Sequence, residues 1–553
     1  MRHLLSLPVI GLATVLSGCG GDSSHPTTTV IPLTYSIGGS VAGLSGTVVL
    51  QDNGGSNLAL SSDGSFVFDV TLQPNSPYAV TVATQPANQV CSVSNGKGTA
   101  TASVTNVTVV CSLSSNATDV WTWVGGADYV NAPGVYGTKG TAAASNAPGA
   151  RRQPIAWTDA AGNFWLFGGN SVGNAGMLND LWEYGPISGL WVWQGGSDIV
   201  GAAASYGSQG VPAASNNPGG REGAANWTDA AGNLWLFGGD SLAGQNWTEF
   251  NDLWSFNTTT GLWTWVGGSI TAAGAGSYGT LGVPAAGNLP PARTDAIHWV
   301  DSAGVFWLFG GTRLNSNGSY LAVLNDLWSY SPTTGLWTWV GGSDTPNAAG
   351  VYGTEGTAAA GNVPSARMGG SAWVDASGNF WLFGGLGLDA GGVAQEYNDL
   401  WEYSPVSSQW TWVGGSDGAN AAGVYGTPRA SAAGNGPGAR VSAVSWTDPA
   451  GNFWLFGGYG YDQVGSIGNL NDLWEYNLGS GVWTWIGGSS STAADGTYGA
   501  QGIAASGNTP SAREQAVGWL DSSGSFWLFG GFGFDSSGEQ GELNDLWRFT
   551  QSP

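Results

Sequence analysis

The sequence predicts an all-β fold in which one unit is repeated six times, behind a smaller β unit and an export leader. Three observations predict it. The element WLFGG begins at Trp165, Trp235, Trp307, Trp381, Trp454 and Trp527, and NDLW begins at Asn179, Asn251, Asn325, Asn398, Asn471 and Asn544. Only 9% of the 553 residues are charged, while Gly numbers 94 and Trp 31, a composition that suits short strands and tight turns and is too aromatic for disorder. Outside the repeats, the short apolar runs alternate with polar residues at the period of a strand.

The chain opens on Arg2 and His3, then an apolar run from Leu4 to Leu16 that is too short for a permanent membrane helix. Leu16-Ser17-Gly18-Cys19 follows. Small residues before a cysteine resemble the lipobox of bacterial lipoproteins, which implies that residues 1–18 are a signal peptide and that Cys19 is acylated and begins the mature chain. By the same resemblance, Gly20 after the cysteine favours the outer membrane or cell surface. Of three cysteines the lipid accounts for one, leaving Cys91 and Cys111 to pair in an oxidising compartment.

Residues 19–33 are small, polar and proline-containing, as expected of a tether. Over 34–112 the runs Thr47 to Leu50, Ser65 to Phe68, Tyr78 to Val82 and Val107 to Val110 lie between Gly, Asn and Asp turns, predicting a small β-sandwich of immunoglobulin-like type. This stretch resembles a module of bacterial surface lipoproteins, which implies a spacer. Residues 113–120 read as a linker.

From Trp121 each repeat offers four short strands: Arg to Trp (a), the WLF segment (b), NDLW (c) and Trp-x-Trp (d). The Gly-Gly after b, the Asn-Asp-Leu-Trp opening c and the Trp of d resemble the kelch motif, which implies that residues 121–553 form a six-bladed kelch-type β-propeller. The first element is a lone strand d, Trp121 to Val124, and the last repeat ends after strand c. The N-terminal strand is therefore expected to close the last blade, leaving no open edge.

Spacing inside the repeat is rigid except between Gly-Gly and NDLW, the b-c loop. An asymmetric ligand can be told apart only where repeats differ. On the b-c loops the ligand-binding candidates are Trp247, Tyr320, Tyr397, Tyr459, Tyr461, Phe532 and Phe534, aromatic anchors suited to sugar or protein. Just after the repeated Arg, where strand a should line the central channel, stand Arg152, Glu222, Asp295 with His298, and Glu514. These are the candidates for acid-base work, set against a plain lining paired to the ring of repeated arginines.

A formal charge of -24 with only two lysines leaves no basic surface for nucleic acid. Resemblance to galactose oxidase would imply copper held by two histidines and a cross-linked cysteine, but the propeller region has no cysteine and only His298. The Asp-x-x-Gly turns lack the flanking pattern of sialidases. No metal or cofactor is expected. The sequence is read as a lipid-anchored, exported, non-enzymatic binding or adhesion module for glycan or protein, its oligomeric state open. The alternative, by resemblance to a six-bladed kelch sialic-acid mutarotase, is a carbohydrate-active enzyme with its site at the channel mouth.

Overall fold

The computed structural model describes residues 33–44, 46–86, 89–113, 119–171, 176–243, 246–315, 317–389 and 391–551. The expected leader, Cys19 and nearly all of the tether lie outside the described residues. The chain divides into two compact units, Met1–Ser114 and Ser115–Pro553.

Among its described residues the first unit contains two four-stranded sheets. One runs in the order Gly64–Val67, Ile37–Ala42, Val104–Leu113, Gln89–Ser94, and the other Ser56–Leu60, Val48–Asp52, Ser76–Thr84, Lys97–Ala100. Alternation in Val48–Asp52 sends Val48 and Leu50 inward, where they meet Ile37, Phe66, Val80, Val107 and Val109 in one core. Cys91 and Cys111 are cross-strand partners and are joined by a disulfide across a separation of 20 residues. Closing a loop of that size stabilises by about 3 kcal/mol in the chain-entropy view.

Among its described residues the second unit contains six antiparallel sheets ordered a-b-c-d and two two-stranded hairpins, Asp240–Ala243 with Asn246–Glu249 and Thr312–Leu314 with Tyr320–Val323. Strand a of each sheet contacts strand a of the next, and the sixth (Val517–Leu520) contacts the first (Ile155–Thr158), so the inner strands form a closed circuit. The strand Val120–Gly125 pairs antiparallel with Gln540–Thr550, setting Trp123 opposite Trp547 and Trp121 opposite Phe549. It supplies strand d of the sixth sheet, the pairing expected from the order of the copies.

The repeated aromatics form the cores between neighbouring sheets. The Trp of strand a lies flat on the Phe that begins strand b of the next sheet, as Trp227 does on Phe306 at 5.1 Å and Trp446 on Phe526 at 5.1 Å. In the second repeat Leu234 takes the place of that Phe, and Trp157 packs on an aliphatic side chain instead. Each repeated Arg is buried and forms a fork with the Asp of NDLW: Arg151–Asp180, Arg221–Asp252, Arg293–Asp326, Arg367–Asp399, Arg440–Asp472 and Arg513–Asp545. In the third repeat both guanidinium contacts to the Asp326 oxygens are 2.7 Å, and that Asp also accepts from the Tyr278 hydroxyl and the Trp328 indole. The repeated arginines, expected as partners of the channel lining, are instead drawn inside the sheets, each forked to its own Asp.

Two local features depart from the sequence reading. The b-c loops are largely hairpins: strands b and c run on together as Phe380–Leu388 with Ala394–Ser404, Phe453–Tyr461 with Ile467–Asn477, and Phe526–Phe534 with Gln540–Thr550. Strand a is not continuous from Arg to Trp. It breaks at the second residue after the Arg, which is left-handed in every repeat: Gln153, Gly223, Asp295, Gly369, Ser442 and Gln515, with φ between 54° and 64°. These residues join hands around the centre. The amide of each donates to a neighbour's carbonyl, Gln153 to Gln515, Gln515 to Ser442, Ser442 to Gly369, Gly369 to Asp295, Asp295 to Gly223 and Gly223 to Gln153. A strand could not make these bonds, which is why the break exists.

Candidate functional site

The residue directly after each repeated Arg pairs across to the residue directly after Gly-Gly of strand b. The pairs are Arg152 with Asn170, Glu222 with Asp240, Thr294 with Thr312, Met368 with Leu386, Val441 with Tyr459, and Glu514 with Phe532. Both positions vary from repeat to repeat, and both surround the ring of amides. The six residues after the Arg, with Asp240 and Thr312 from the positions after Gly-Gly, line a cavity of about 280 Å³, to which Trp247, Leu314 and Tyr320 from the second and third b-c hairpins contribute.

The cavity is two-sided. Repeats four and five contribute Met368 and Val441, which with Leu386 and Tyr459 form a small apolar cluster. The other repeats contribute Arg152, Gln153, Glu222, Asp240, Thr294, Asp295, Thr312, Glu514 and Gln515. Gln515 Nε2 donates to Gln153 Oε1 at 3.0 Å, Gln153 in turn donates to Asp295, and Thr294 Oγ1 donates to Asp240 Oδ1 at 3.1 Å. The guanidinium carbon of Arg152 lies 5.6 Å from the centre of the Phe532 ring.

The carboxyls here are costly to ionise. Burial pushes Glu222 up to about 8, a rise that Arg152 opposes and Asp295 and Glu542 reinforce. Asp240 is raised well above the usual carboxylate range by burial and then by Glu222 and Asp295. Burial raises Glu514 to about 7, against Arg152, and Asp295 to about 6, against the hydrogen bond from Gln153. Glu222 is only 4% exposed, and its Oε2 accepts no hydrogen bond.

Of the acid-base candidates, Arg152, Glu222, Asp295 and Glu514 come together on this cavity. His298 lies apart from its lining, in strand Ile297–Val300, with its ring 5.9 Å from Trp227 and burial lowering its pKa to about 4. Of the aromatic candidates, Trp247 and Tyr320 line the cavity. Tyr397 lies 4.6 Å from the Arg367 guanidinium, Tyr459 joins the apolar cluster, Phe532 lies beside Arg152, and Tyr461 and Phe534 sit at the ends of the extended b strands. Sequence reasoning missed Asp240, Thr294, Thr312 and Ser442. A signal for Asp240 and Thr312 existed: the position after Gly-Gly reads Asn170, Asp240, Thr312, Leu386, Tyr459 and Phe532, divergent beside an invariant element.

Residues 205–420 match the KLHDC2/KLHL20/DRC7 Kelch-repeats domain. No curated protein matches the chain. A solved structure described as "Structure of YjhT" is similar at 14% identity and a TM-score of 0.43, covering 72% of this chain and 95% of that one. Residues 205–420 are thus similar to a kelch-repeats domain, within an all-β, propeller-like structure.

Proposed function

We propose that the second unit is a six-bladed kelch β-propeller acting as a binding module for a glycan. The first unit is a small β-sandwich that spaces it from a lipid anchor at Cys19, on the outer membrane or cell surface of an exporting cell. One observation carries the binding reading: the divergent residue after the Arg in all six repeats lines one two-sided cavity, with Asp240 and Thr312 beside it. Carboxyls and amides on one side can between them donate to and accept from ring hydroxyls, while Met368 and Val441 offer an apolar surface to a sugar face. The cavity volume lies near the lower end of the roughly 300–1,000 Å³ of small-molecule sites, so one small ligand or the terminal residue of a chain fits the reading.

The test is a glycan-array screen with the Cys19→Ala protein, followed by titration of any hit against Trp247→Ala and Tyr320→Ala. Binding that both variants weaken supports the site, and binding indifferent to them removes it. The same Cys19→Ala protein tests anchoring, since it should move from the membrane fraction to the soluble exported fraction.

A second reading, acid-base catalysis on a sugar, is favoured by Glu222 at about 8 and Glu514 at about 7, values close to those a general acid needs near neutral pH. Turnover of a bound sugar that Glu514→Gln abolishes, with folding intact, would replace the binding reading.

A further inference from the structure

The charge inventory of the cavity is lopsided. Glu222, Asp240, Asp295 and Glu514 line it, Glu542 and Glu249 stand close behind, and Arg152 is the one cationic side chain in the lining. Arg152 faces Glu222 and Glu514 electrostatically and also lies beside Phe532. Its single charge falls short of what four carboxyls can carry. Glu222 lines the cavity on a side chain more than nine-tenths buried, and although Asn170 and Arg152 act on its carboxyl, its Oε2 accepts no hydrogen bond. An unmade hydrogen bond on a buried carboxyl is costly, and such a group is satisfied by a donor arriving with the ligand.

We propose that the cavity recognises a ligand bearing a protonated primary amine, specifically an amino sugar with a free ammonium group, held by Glu222, Asp240, Asp295 and Glu514. This deepens the glycan reading and rests on it. A neutral sugar would leave the carboxyls repelling one another or protonated, and a sugar acid would add to the negative field. An ammonium supplies three donors to Glu222 Oε2 and the neighbouring carboxyl oxygens and offsets their repulsion, forming charge-assisted hydrogen bonds. Trp247 and Tyr320 add aromatic lining to the same cavity. Binding therefore carries a proton balance: carboxylic acid and ammonium become a carboxylate–ammonium pair, and the acid's proton is released to solvent.

Calorimetric titration of the full-length protein near neutral pH tests this with glucosamine, glucose, N-acetylglucosamine and n-butylamine as probes, in two buffers of different ionisation enthalpy. Glucosamine is expected to bind about tenfold or more tighter than glucose or N-acetylglucosamine, as charge-assisted bonds replace neutral ones. The buffer dependence should report net proton release. Glu222→Gln should lose most of that preference and reduce the release, while its thermal unfolding shows it remains folded. Equal binding of glucose and glucosamine overturns the ammonium proposal and leaves the glycan reading standing. Binding of n-butylamine as tight as glucosamine, with no glucose binding, supports the cation site and overturns the glycan reading. Absence of binding by all four overturns the proposal.

Discussion

Glu222 and Arg293 illustrate two opposite ways of burying a charge. Arg293 is 1% exposed and meets both oxygens of Asp326, so its desolvation is offset by a fork of hydrogen bonds. Removing one partner should therefore be severe: Asp326→Ala is expected to cost about 3–5 kcal/mol in urea denaturation, because the guanidinium stays buried without its counter-charge. Glu222 lacks such a partner and holds its proton instead. Its folded pKa of about 8 stands above the ordinary carboxylate 4.5, so the native state binds more protons than the unfolded chain between those values. Its stabilising contribution is complete below the lower value and is lost as pH rises through the upper one. The melting temperature should fall from about pH 5 to about pH 8, and Glu222→Gln should flatten that slope in a thermal-melt series.

At the scale of the element, the broken strand a is the feature that most shapes the site. The break places the residue after each Arg on the cavity, sets the side chains of Gln153, Asp295, Ser442 and Gln515 beside it, and commits the backbone of that second residue to the amide ring. Gly369 holds φ +61°, and a Cβ there would meet Val441 Cγ2 at 2.6 Å, so Gly369→Ala should destabilise by about 1 kcal/mol or more, read as a lowered denaturation midpoint. The repeat and its four strands were legible in the sequence because WLFGG, NDLW and Trp-x-Trp recur with fixed spacing. So was the inward cluster at Arg152, Glu222, Asp295 and Glu514, because divergence beside an invariant Arg stands out. The break itself was not legible, since Gln153, Asp295, Ser442 and Gln515 are not glycines and their left-handed backbone is set by long-range amide partners. The fate of the repeated arginines was hidden for a similar reason. Their partners, such as Asp180 for Arg151, lie 29 to 33 residues away in the chain.

Across the second unit, stability should be shared around the circuit. Each aromatic core is built from two neighbouring sheets, and the sixth core joins Phe164 and Trp182 of the first repeat to Trp519 and Trp527 of the last. Deleting Val120–Gly125 would expose strand Gln540–Thr550 and remove Trp121 from its core with Phe456 and Phe549. The expected result is a lower melting temperature for the whole unit in a single transition, since repeats depend on their neighbours. A truncated protein melting like its parent would mean that these strands contribute nothing to the circuit. The same closure has a mechanical meaning. The chain enters the second unit through the very strand that seals it, with Asp119 just outside and paired to Arg429. A load applied along the chain from its N-terminal side, with the remainder held fast, reaches Val120–Gly125 before any other strand of the unit. The seam that completes the circuit is thus also its fuse, and single-molecule pulling should register its rupture as the first event.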